Sequence, residues 1–381
     1  MAYRSRPEAI AWVLTVRQIP VAPEHGCVRL AAGIFTKELF PMPGCCIVPP
    51  YILQSIALKG DKRQQAAAWA TLTDSEQFRG GRRILTVLAP LASTATGTKR
   101  RTIYDARHGY ALPGRLVRAE RDPKSKDVAV NEAYDGSGAT YDFFYRSFGR
   151  SSIDGRGFRL DSTVHYGVNY DNAFWNGRQM VYGDGDGEIF RRFTVALDVI
   201  GHELTHGLTQ YEANLNYRDQ PGALNESFSD VFGSLVKQFK RRQFSRDADW
   251  LIGEGLFLPG VQARGIRSMK EPGTAYDDPL LGKDPQPGHM RDYVRTIDDN
   301  GGVHINSGIP NRAFYQLATR LGGYAWEKAG RIWYLALCDK LRANSTFADA
   351  MNMTVRAAGE LFGINSKEQK AAREAWAEVG L

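Results

Sequence analysis

The chain has 381 residues, of which 43% are hydrophobic and 24% are charged, a composition typical of a globular protein with two or three domains. Its sequence contains no apolar run long enough to span a membrane. The net charge of +7 lies entirely in residues 1–100, which hold 13 Lys and Arg against 6 Asp and Glu, whereas residues 101–381 hold 36 of each. The larger part of the chain is therefore neutral, which argues against a nucleic-acid-binding protein.

The N-terminal region gives little information about the cellular compartment. Residues 1–41 contain no clear signal peptide, because the apolar run at residues 9–16 lacks a small-residue cleavage site. We interpret residues 1–45 as an N-terminal extension, which a start of translation at Met42 would leave largely untranslated. The cysteines neither indicate an oxidising compartment nor exclude export, since residues 101–381 contain a single one, Cys338.

The next segment predicts a small unit of its own. Pro49 and Pro50 favour an extended backbone. Residues 54–72 are rich in alanine and predict a helix, followed by a turn at residues 79–83 and a strand at residues 84–88. Residues 90–101, rich in Ala, Ser, Thr and Gly, predict an exposed linker that a protease could cut.

The remainder divides into a part rich in turns and a helical part. Residues 101–190 contain many glycines and aromatic residues, which predicts few long helices. Short strands such as residues 159–166 predict an irregular antiparallel sheet. From about residue 306 the pattern is helical, with segments at 307–321, 324–343, 347–362 and 366–379 and no internal repeat.

The stretch between these parts carries a metal-binding pattern. Residues 195–210 lack proline and repeat apolar residues at helical spacing. His202 and His206 then lie one turn apart on one face, from which both imidazoles can reach one zinc ion at about 2.0–2.1 Å. Glu203 is placed to hold a water at the metal and to accept its proton as a general base. An amphipathic helix could carry His-Glu-x-x-His by chance, so a third ligand has to support the motif.

Glu226 is the candidate third ligand, because catalytic zinc takes three protein ligands and keeps one position open for water. It opens a second predicted helix, in which Asp230 lies one turn further on. Two such helices packed face to face would bring Glu226 to the ion, and Asp230 and Asn225 could accept hydrogen bonds from the ligand imidazoles. In the alternative interpretation, the two acids are solvated helix charges, which requires two coincidences at once.

These motifs resemble the thermolysin family of zinc endopeptidases, whose zinc ligands are two histidines and a glutamate. The likeness extends from about residue 101 to the C terminus. Pro49-Pro50-Tyr51 resembles the motif that opens the short propeptide of the family's protealysin-like members. Four further blocks are similar to those of the family and occur in the same order, namely Asn172-Ala-Phe-Trp175-Asn-Gly, Met180-Val-Tyr-Gly-Asp-Gly-Asp-Gly187, Ile266-Arg-Ser-Met269 and Asn300-Gly-Gly-Val-His304-Ile-Asn-Ser-Gly308.

The resemblance implies an α+β fold with a thermolysin-like two-domain catalytic unit. Residues 99–194 would form a β-rich N-terminal domain, and residues 195–381 the zinc helix and a helical C-terminal domain. Residues 46–98 would form a propeptide that covers the cleft and is removed by the enzyme itself; a small N-terminal domain that stays attached is the alternative. Cys46 could cap the zinc as a thiolate in such a precursor, although such a cysteine is more often merely buried or free.

By the same resemblance, the chain is a zinc-dependent neutral endopeptidase with one catalytic zinc, and Glu203 is its general base. His304 and Tyr217 match the family's hydrogen-bond donors to the oxyanion that forms on the substrate. Asp299 would hold the His304 imidazole in its cationic, donating form.

The resemblance also implies which residues bind the substrate, because they stand at the family's substrate-binding positions. Asn172 and the carbonyl group of Ala173 would pair with the substrate backbone as an added strand does, and Arg267 would bind a substrate carbonyl beside the scissile bond. The positions that line the family's pocket on the leaving-group side are all apolar, which predicts cleavage on the N-terminal side of bulky apolar residues. These positions are Phe190, Phe193, Val199, Ile252 and Ile266.

The sequence departs from the family at a calcium site of thermolysin itself. Asp198, Asp249 and Glu254 match calcium ligands, but Lys237 and Leu251 stand where two further acids would be. We expect the Lys237 ammonium to replace a cation beside Asp198 as a salt bridge, and therefore at most one calcium ion per chain.

The expected partners are peptide and protein substrates and the chain's own propeptide, and a monomer is expected. The resemblance implies secretion, while the lack of a visible signal peptide leaves cytoplasmic residence or unconventional export as alternatives. A zinc-bearing relative that binds peptides or a partner without catalysis is the alternative function. It would require the loss of a catalytic group, whereas Glu203, Tyr217 and His304 are all present.

Overall fold

A computed structural model of the chain describes residues 45–85 and 97–381. The predicted N-terminal extension, apart from its last residue, and most of the predicted linker lie outside the described residues.

The helices of the described residues are α1 Pro50–Lys59, α2 Lys62–Leu85, α3 Val128–Phe148, α4 Leu197–Tyr211, α5 Asp219–Arg241, α6 Asp299–Asn306, α7 Gly308–Leu321, α8 Ala329–Leu335, α9 Phe347–Phe362 and α10 Lys367–Ala377. Their strands are β1 Cys45–Cys46, β2 Arg101–Asp105, β3 Arg115–Ala119, β4 Leu160–Val164, β5 Ala173–Trp175, β6 Met180–Tyr182, β7 Leu251–Ile252, β8 Arg267–Ser268, β9 Asp277–Asp278 and β10 Gly282–Lys283.

The largest sheet has six strands in the order β1-β5-β6-β4-β2-β3. The pairs β2/β4 and β4/β6 are parallel, and the other pairs are antiparallel. The predicted antiparallel sheet is therefore wrong at its centre. Parallel neighbours require a crossover connection, and α3 lies on the connection that leads to β4.

Helix α3 also corrects the prediction of few long helices in this part, since it has 21 residues. Its glycines serve packing rather than turns. A Cβ atom at Gly136 would clash with Cδ1 of Ile200, and one at Gly138 would clash with Nη1 of Arg101. The helix begins at an N-cap, because the Asp127 side chain accepts hydrogen bonds from two amides of the first turn.

The region before the predicted linker consists of an edge strand and two helices. Strand β1 pairs antiparallel with β5, so that Cys46 lies opposite Phe174. Pro50 occupies the first position of α1, where its missing N–H group costs nothing. The helix predicted at 54–72 is interrupted at Gly60, and the turn predicted at 79–83 is wrong, because α2 continues to Leu85. The two glycines in the predicted turn each lower helix stability by about 1 kcal/mol, which is too little to end α2 there.

The strand predicted at residues 84–88 begins inside α2, so its first two residues are helical. Its other three residues lie outside the described residues.

The C-terminal part is helical, as predicted. Three of the four predicted segments correspond to α7, α9 and α10, and the segment predicted at 324–343 is shorter, consisting of α8 and a π-helical turn at Ala336–Lys340. No helix among the described residues combines the length and the apolar character that crossing a membrane requires. The fold is thus α+β, with a mixed sheet in its N-terminal part, helices in its C-terminal part and α4 between them.

Candidate active site

Helices α4 and α5 bring three side chains together in the interior. The Nε2 atoms of His202 and His206 lie 3.0 Å apart, and the Glu226 carboxylate oxygens lie 3.5 Å and 3.4 Å from them. All three side chains are fully buried. Donors around a tetrahedral zinc ion at about 2.0–2.1 Å are about 3.3 Å apart, so this constellation fits zinc.

The approach of the two helices depends on glycine. A Cβ atom at Gly233 of α5 would lie 2.5 Å from the carbonyl oxygen of Asp198 of α4. A Cβ atom at Gly201 of α4 would lie 3.0 Å from the Cα atom of Gly233. Any larger residue here would push α5 away, and the Glu226 carboxylate would lose its position beside the histidines.

Each ligand imidazole is oriented through its other nitrogen. Nδ1 of His202 lies 2.8 Å from Oδ1 of Asp230, and Nδ1 of His206 lies 2.9 Å from Oδ1 of Asn225. The Ser229 hydroxyl is also 3.0 Å from Nδ1 of His206, a contact that the sequence analysis missed although Ser229 follows Asn225 by one helical turn. Burial lowers the pKa of His206 to about 3, so its imidazole stays in the neutral form that binds metal.

Asp230 is held in its ionised form by two further residues. Arg267 donates two hydrogen bonds to its carboxylate, at 2.8 Å and 2.7 Å, and the Asn311 amide donates a third at 2.8 Å. Burial by itself would raise the pKa of Asp230, but Arg267 and His202 bring it well below its ordinary value. Asn311, on α7, was not identified from the sequence, although it follows the last family-like block by only three residues.

Glu203 faces the sheet from α4. Its Oε2 atom accepts a hydrogen bond of 2.8 Å from the backbone amide of Trp175 in β5, and its side chain is fully buried. The carboxylate is therefore fixed against β5, next to the residues expected to bind the substrate backbone.

A second group of side chains approaches from α6 and the loop before α5. The Tyr217 hydroxyl donates a short hydrogen bond to Glu226 and lies 3.2 Å from Nε2 of His304. Nδ1 of His304 lies 2.6 Å from Oδ1 of Asp299. Burial lowers the pKa of His304, but the carboxylates of Asp299 and Glu226 outweigh burial and raise it above its ordinary value. The imidazole is thereby kept ready to donate from Nε2.

The turn that positions His304 is left-handed. Four consecutive residues from Asp299 to Gly302 have positive φ angles. At Gly301 a Cβ atom would clash with the Asp219 carboxylate, so glycine is required there for space as well as for conformation. This turn allows the Asp299 carboxylate to reach both the backbone amide and the ring of His304.

The N-terminal segment lies along β5 and contacts the predicted substrate-binding residues. The amide of Ile47 donates to the carbonyl oxygen of Ala173 at 3.1 Å, and Val48 exchanges two hydrogen bonds with the Asn172 side chain, at 3.0 Å and 3.2 Å. Arg267 donates to the carbonyl oxygen of Ile47 at 3.0 Å. The segment thus forms the added strand that the sequence analysis assigned to a substrate.

Cys46 contributes its backbone, not its thiol, to this arrangement. Its carbonyl oxygen lies 3.1 Å from Nε2 of His304. Its sulfur lies 3.9 Å from the hydroxyl oxygen of Ser75 and packs in an aromatic cluster with Tyr166 and Tyr170. The thiol therefore points into this cluster, which does not support a thiolate cap on the zinc.

The five apolar residues of the predicted pocket wall belong to the main core, and all five side chains are fully buried. The Phe190 and Phe193 rings lie 5.7 Å apart, and the amide of Ile266 donates to the carbonyl oxygen of Ile252 at 2.8 Å. Val199 lies on α4, about one turn before the first ligand histidine. The same apolar cluster includes Ile47 of the N-terminal segment.

The residues that match calcium ligands surround a buried ammonium group. Nζ of Lys237 lies 2.9 Å from Asp198, 2.7 Å from Asp249 and 3.8 Å from Glu254, and it donates to the carbonyl oxygen of Leu251 at 2.8 Å. Burial lowers the pKa of Lys237, but Asp198 and Asp249 outweigh burial and raise it above its ordinary value. The expected salt bridge between Lys237 and Asp198 is therefore confirmed.

Two family models match adjacent parts of the chain. The model described as the catalytic domain of thermolysin metallopeptidase matches residues 86–210. The model described as its alpha-helical domain matches residues 213–381. The first covers strands β2 to β6 and α4, and the second covers α5 and the helices that follow it.

Individual proteins are similar over most of the chain. An extracellular metalloprotease of Pectobacterium carotovorum subsp. carotovorum is 52% identical over 340 residues, covering 89% of this chain and 97% of the relative. Protease PrtS of Photorhabdus sp. (strain Az29) is 49% identical over 341 residues, covering 88% and 91%. Among solved structures, the precursor of protealysin, a metalloproteinase from Serratia proteamaculans, has a TM-score of 0.82 at 54% identity and covers 88% of this chain and 99% of its own.

Proposed function

The chain belongs to the thermolysin family of zinc metallopeptidases and is a metalloendopeptidase, and from this premise we propose that the described structure is that of its inhibited precursor. One observation carries the proposal. Residues 46–48 contact Asn172, Ala173, Arg267 and His304 through backbone atoms, which is how an extended peptide substrate would be bound. Residues 46–98 are accordingly proposed as the propeptide.

His202, His206 and Glu226 would hold the catalytic zinc. When bound, zinc supplies Lewis-acid chemistry, polarising the scissile carbonyl and lowering the pKa of the attacking water. Glu203, buried and anchored by the amide of Trp175, accepts the proton of the water and delivers it to the leaving amine. A fixed carboxylate beside the reacting atoms needs no reorganisation for this transfer.

Two side chains stabilise the carbonyl oxygen as it gains negative charge. His304 donates from Nε2, and Asp299 on its other nitrogen favours the cationic ring. The Tyr217 hydroxyl, 3.2 Å from that Nε2, is the second donor. Arg267 holds a neighbouring carbonyl, as it holds the carbonyl of Ile47 in the precursor.

The proposed specificity is cleavage on the N-terminal side of bulky apolar residues. The five residues of the pocket wall are fully buried and apolar, and they belong to one cluster with Ile47. A charged side chain entering such a site would lose its hydration without gaining a partner. A peptide library cut mainly before charged residues would contradict this specificity.

The proposal also covers how the precursor is processed and where the enzyme acts. We propose that the enzyme removes its own propeptide by cutting within or near residues 90–101, and that it acts outside the cell. The name of the Pectobacterium relative, an extracellular metalloprotease, supports export. The alternative of a silent, peptide-binding relative has no support, because the groups that catalysis requires are all present.

The test compares the purified full chain with its Glu203→Gln variant, each with and without a zinc chelator. Chain length and cleavage of a Gly-Leu peptide are followed by mass spectrometry. We expect the wild type to shorten near residues 90–101 and to cut before Leu, and the variant and the chelated samples to do neither. Glu271→Gln, at an exposed position, is the matched control and should behave as wild type. If both proteins bind zinc and stay inert, the peptide-binding alternative replaces the peptidase.

A further inference from the structure

A second cluster of possible metal ligands lies at one edge of the six-stranded sheet. His108 follows β2 by three residues, His165 follows β4 directly and Asp184 follows β6 by two residues. These strands are parallel neighbours, so their carboxyl ends lie at the same edge. The sheet thereby gathers three side chains that are far apart in the sequence.

The geometry of the cluster suits one small ion. Nδ1 of His165 lies 2.8 Å from Oδ2 of Asp184, and Nδ1 of His108 lies 3.6 Å from the same oxygen. The three donor atoms all lie within 4.8 Å of one another. A tetrahedral zinc ion needs donors about 3.3 Å apart, and both distances to Oδ2 of Asp184 lie within about 0.5 Å of that spacing.

Both histidine loops are held in place by backbone contacts. The amide of His108 donates to the carbonyl oxygen of His165 at 2.8 Å, and the amide of Gly167 donates to the carbonyl oxygen of Gly109 at 3.0 Å. The His108 side chain is 58% exposed, which gives an ion access from solvent. The cluster is therefore both organised and reachable.

Asp127 supplies the outer partner that metal-binding imidazoles commonly have. Its Oδ2 atom lies 2.7 Å from Nε2 of His165, while its Oδ1 atom caps α3 by accepting from the amide of Ala129 at 2.8 Å. A carboxylate on Nε2 favours the tautomer whose Nδ1 can bind a metal, which would then lie between Nδ1 and the Asp184 carboxylate that Nδ1 contacts in this structure. The helix cap in turn fixes the carboxylate.

From these observations we propose that His108, His165 and Asp184 bind a second zinc ion, separate from the catalytic one. Two imidazoles and one carboxylate form a donor set that zinc accepts, with water as the fourth ligand. The charges also balance, because a divalent cation offsets the carboxylates of Asp184 and Asp127. The ion ties together the ends of three strands and is structural, since no catalytic residue belongs to the cluster.

The experiment uses the tag-free full chain in a Glu203→Gln background, so that the precursor stays intact, with one zinc already bound. Zinc chloride is titrated in, and binding is followed by calorimetry and native mass spectrometry. We expect a second zinc per chain and a rise in the unfolding temperature. His108→Ala and Asp184→Asn should weaken this second site by at least about 100-fold, and Asp127→Asn, which preserves the helix cap, by about 10- to 100-fold.

His289→Ala is the matched control, because His289 lies outside both clusters, and it should keep the second zinc. The proposal is overturned if the Glu203→Gln chain binds a single zinc at micromolar concentrations, or if adding His108→Ala or Asp184→Asn to it leaves the affinity for the second ion unchanged. In the first of these outcomes, His165 is instead a structural imidazolium held between two carboxylates.

Discussion

The carbonyl oxygen of Cys46 lies 3.1 Å from Nε2 of His304, the donor proposed for the substrate oxyanion. The thiol of the same residue packs elsewhere, near Ser75. The precursor segment therefore engages the site through peptide groups rather than through a metal-binding side chain. Latency should consequently depend on backbone hydrogen bonds.

Replacing Ile47 by proline should release this inhibition. The substitution removes the amide that donates to Ala173, and loss of a buried hydrogen bond costs about 1–3 kcal/mol. Initial peptidase rates, measured before the chain is shortened, should be higher for Ile47→Pro than for wild type. Cys46→Ser keeps the backbone and should remain latent. A latent Ile47→Pro precursor, or an active Cys46→Ser precursor, would contradict this interpretation.

Asp230→Asn should weaken catalytic zinc binding. The carboxylate orients His202 and is itself held by Arg267, and loss of such an outer partner costs about 10- to 100-fold in metal affinity. Competition with a chromogenic chelator measures the change. Asp247→Asn, at an exposed site, provides the control. Equal zinc affinity in Asp230→Asn and wild type would show that this orientation is unimportant.

Lys237→Met should destabilise the fold by about 3–5 kcal/mol, because it leaves the buried Asp198 carboxylate without its cation. Urea denaturation measures the loss, and Lys240→Met, exposed on the same helix, should change little. Calcium should partly restore the stability of Lys237→Met and leave the wild type unchanged. Stabilisation of the wild type by calcium would argue that the ion binds here despite the ammonium.

The buried carboxyl group of Asp171 should make the free energy of unfolding decrease as the pH rises. Burial raises its pKa well above the ordinary value, and the Asp186 carboxylate raises it further. The folded chain therefore holds a proton that the unfolded chain loses above about pH 4, so stability decreases from there up to the folded pKa. Asp171→Asn should remove a slope of up to about 1.4 kcal/mol per pH unit.

Urea denaturation at pH 5 and pH 7 tests this pH dependence. The stability advantage of Asp171→Asn over wild type should be larger at pH 7 than at pH 5. Asp247→Asn serves again as the exposed control and should show a constant difference. An advantage that does not change with pH would mean that Asp171 titrates normally in the folded chain.

The sequence by itself determined the family, the α+β class and the pair of histidines on α4. These depend on local geometry, since residues four apart on a helix always share a face. It also indicated Glu226 and Asp230, because a second helix with its own polar face can meet the first. The family resemblance that the motifs carried is confirmed by the two matching family models.

Only the tertiary structure decided how distant segments meet. Glycines at 201 and 233 set the distance between α4 and α5, and glycines in α3 that predicted turns serve packing instead. The parallel register of β2, β4 and β6 brought His108, His165 and Asp184 together. Spacing along one helix is a property of the local backbone, whereas contacts between remote residues depend on how whole elements pack and pair.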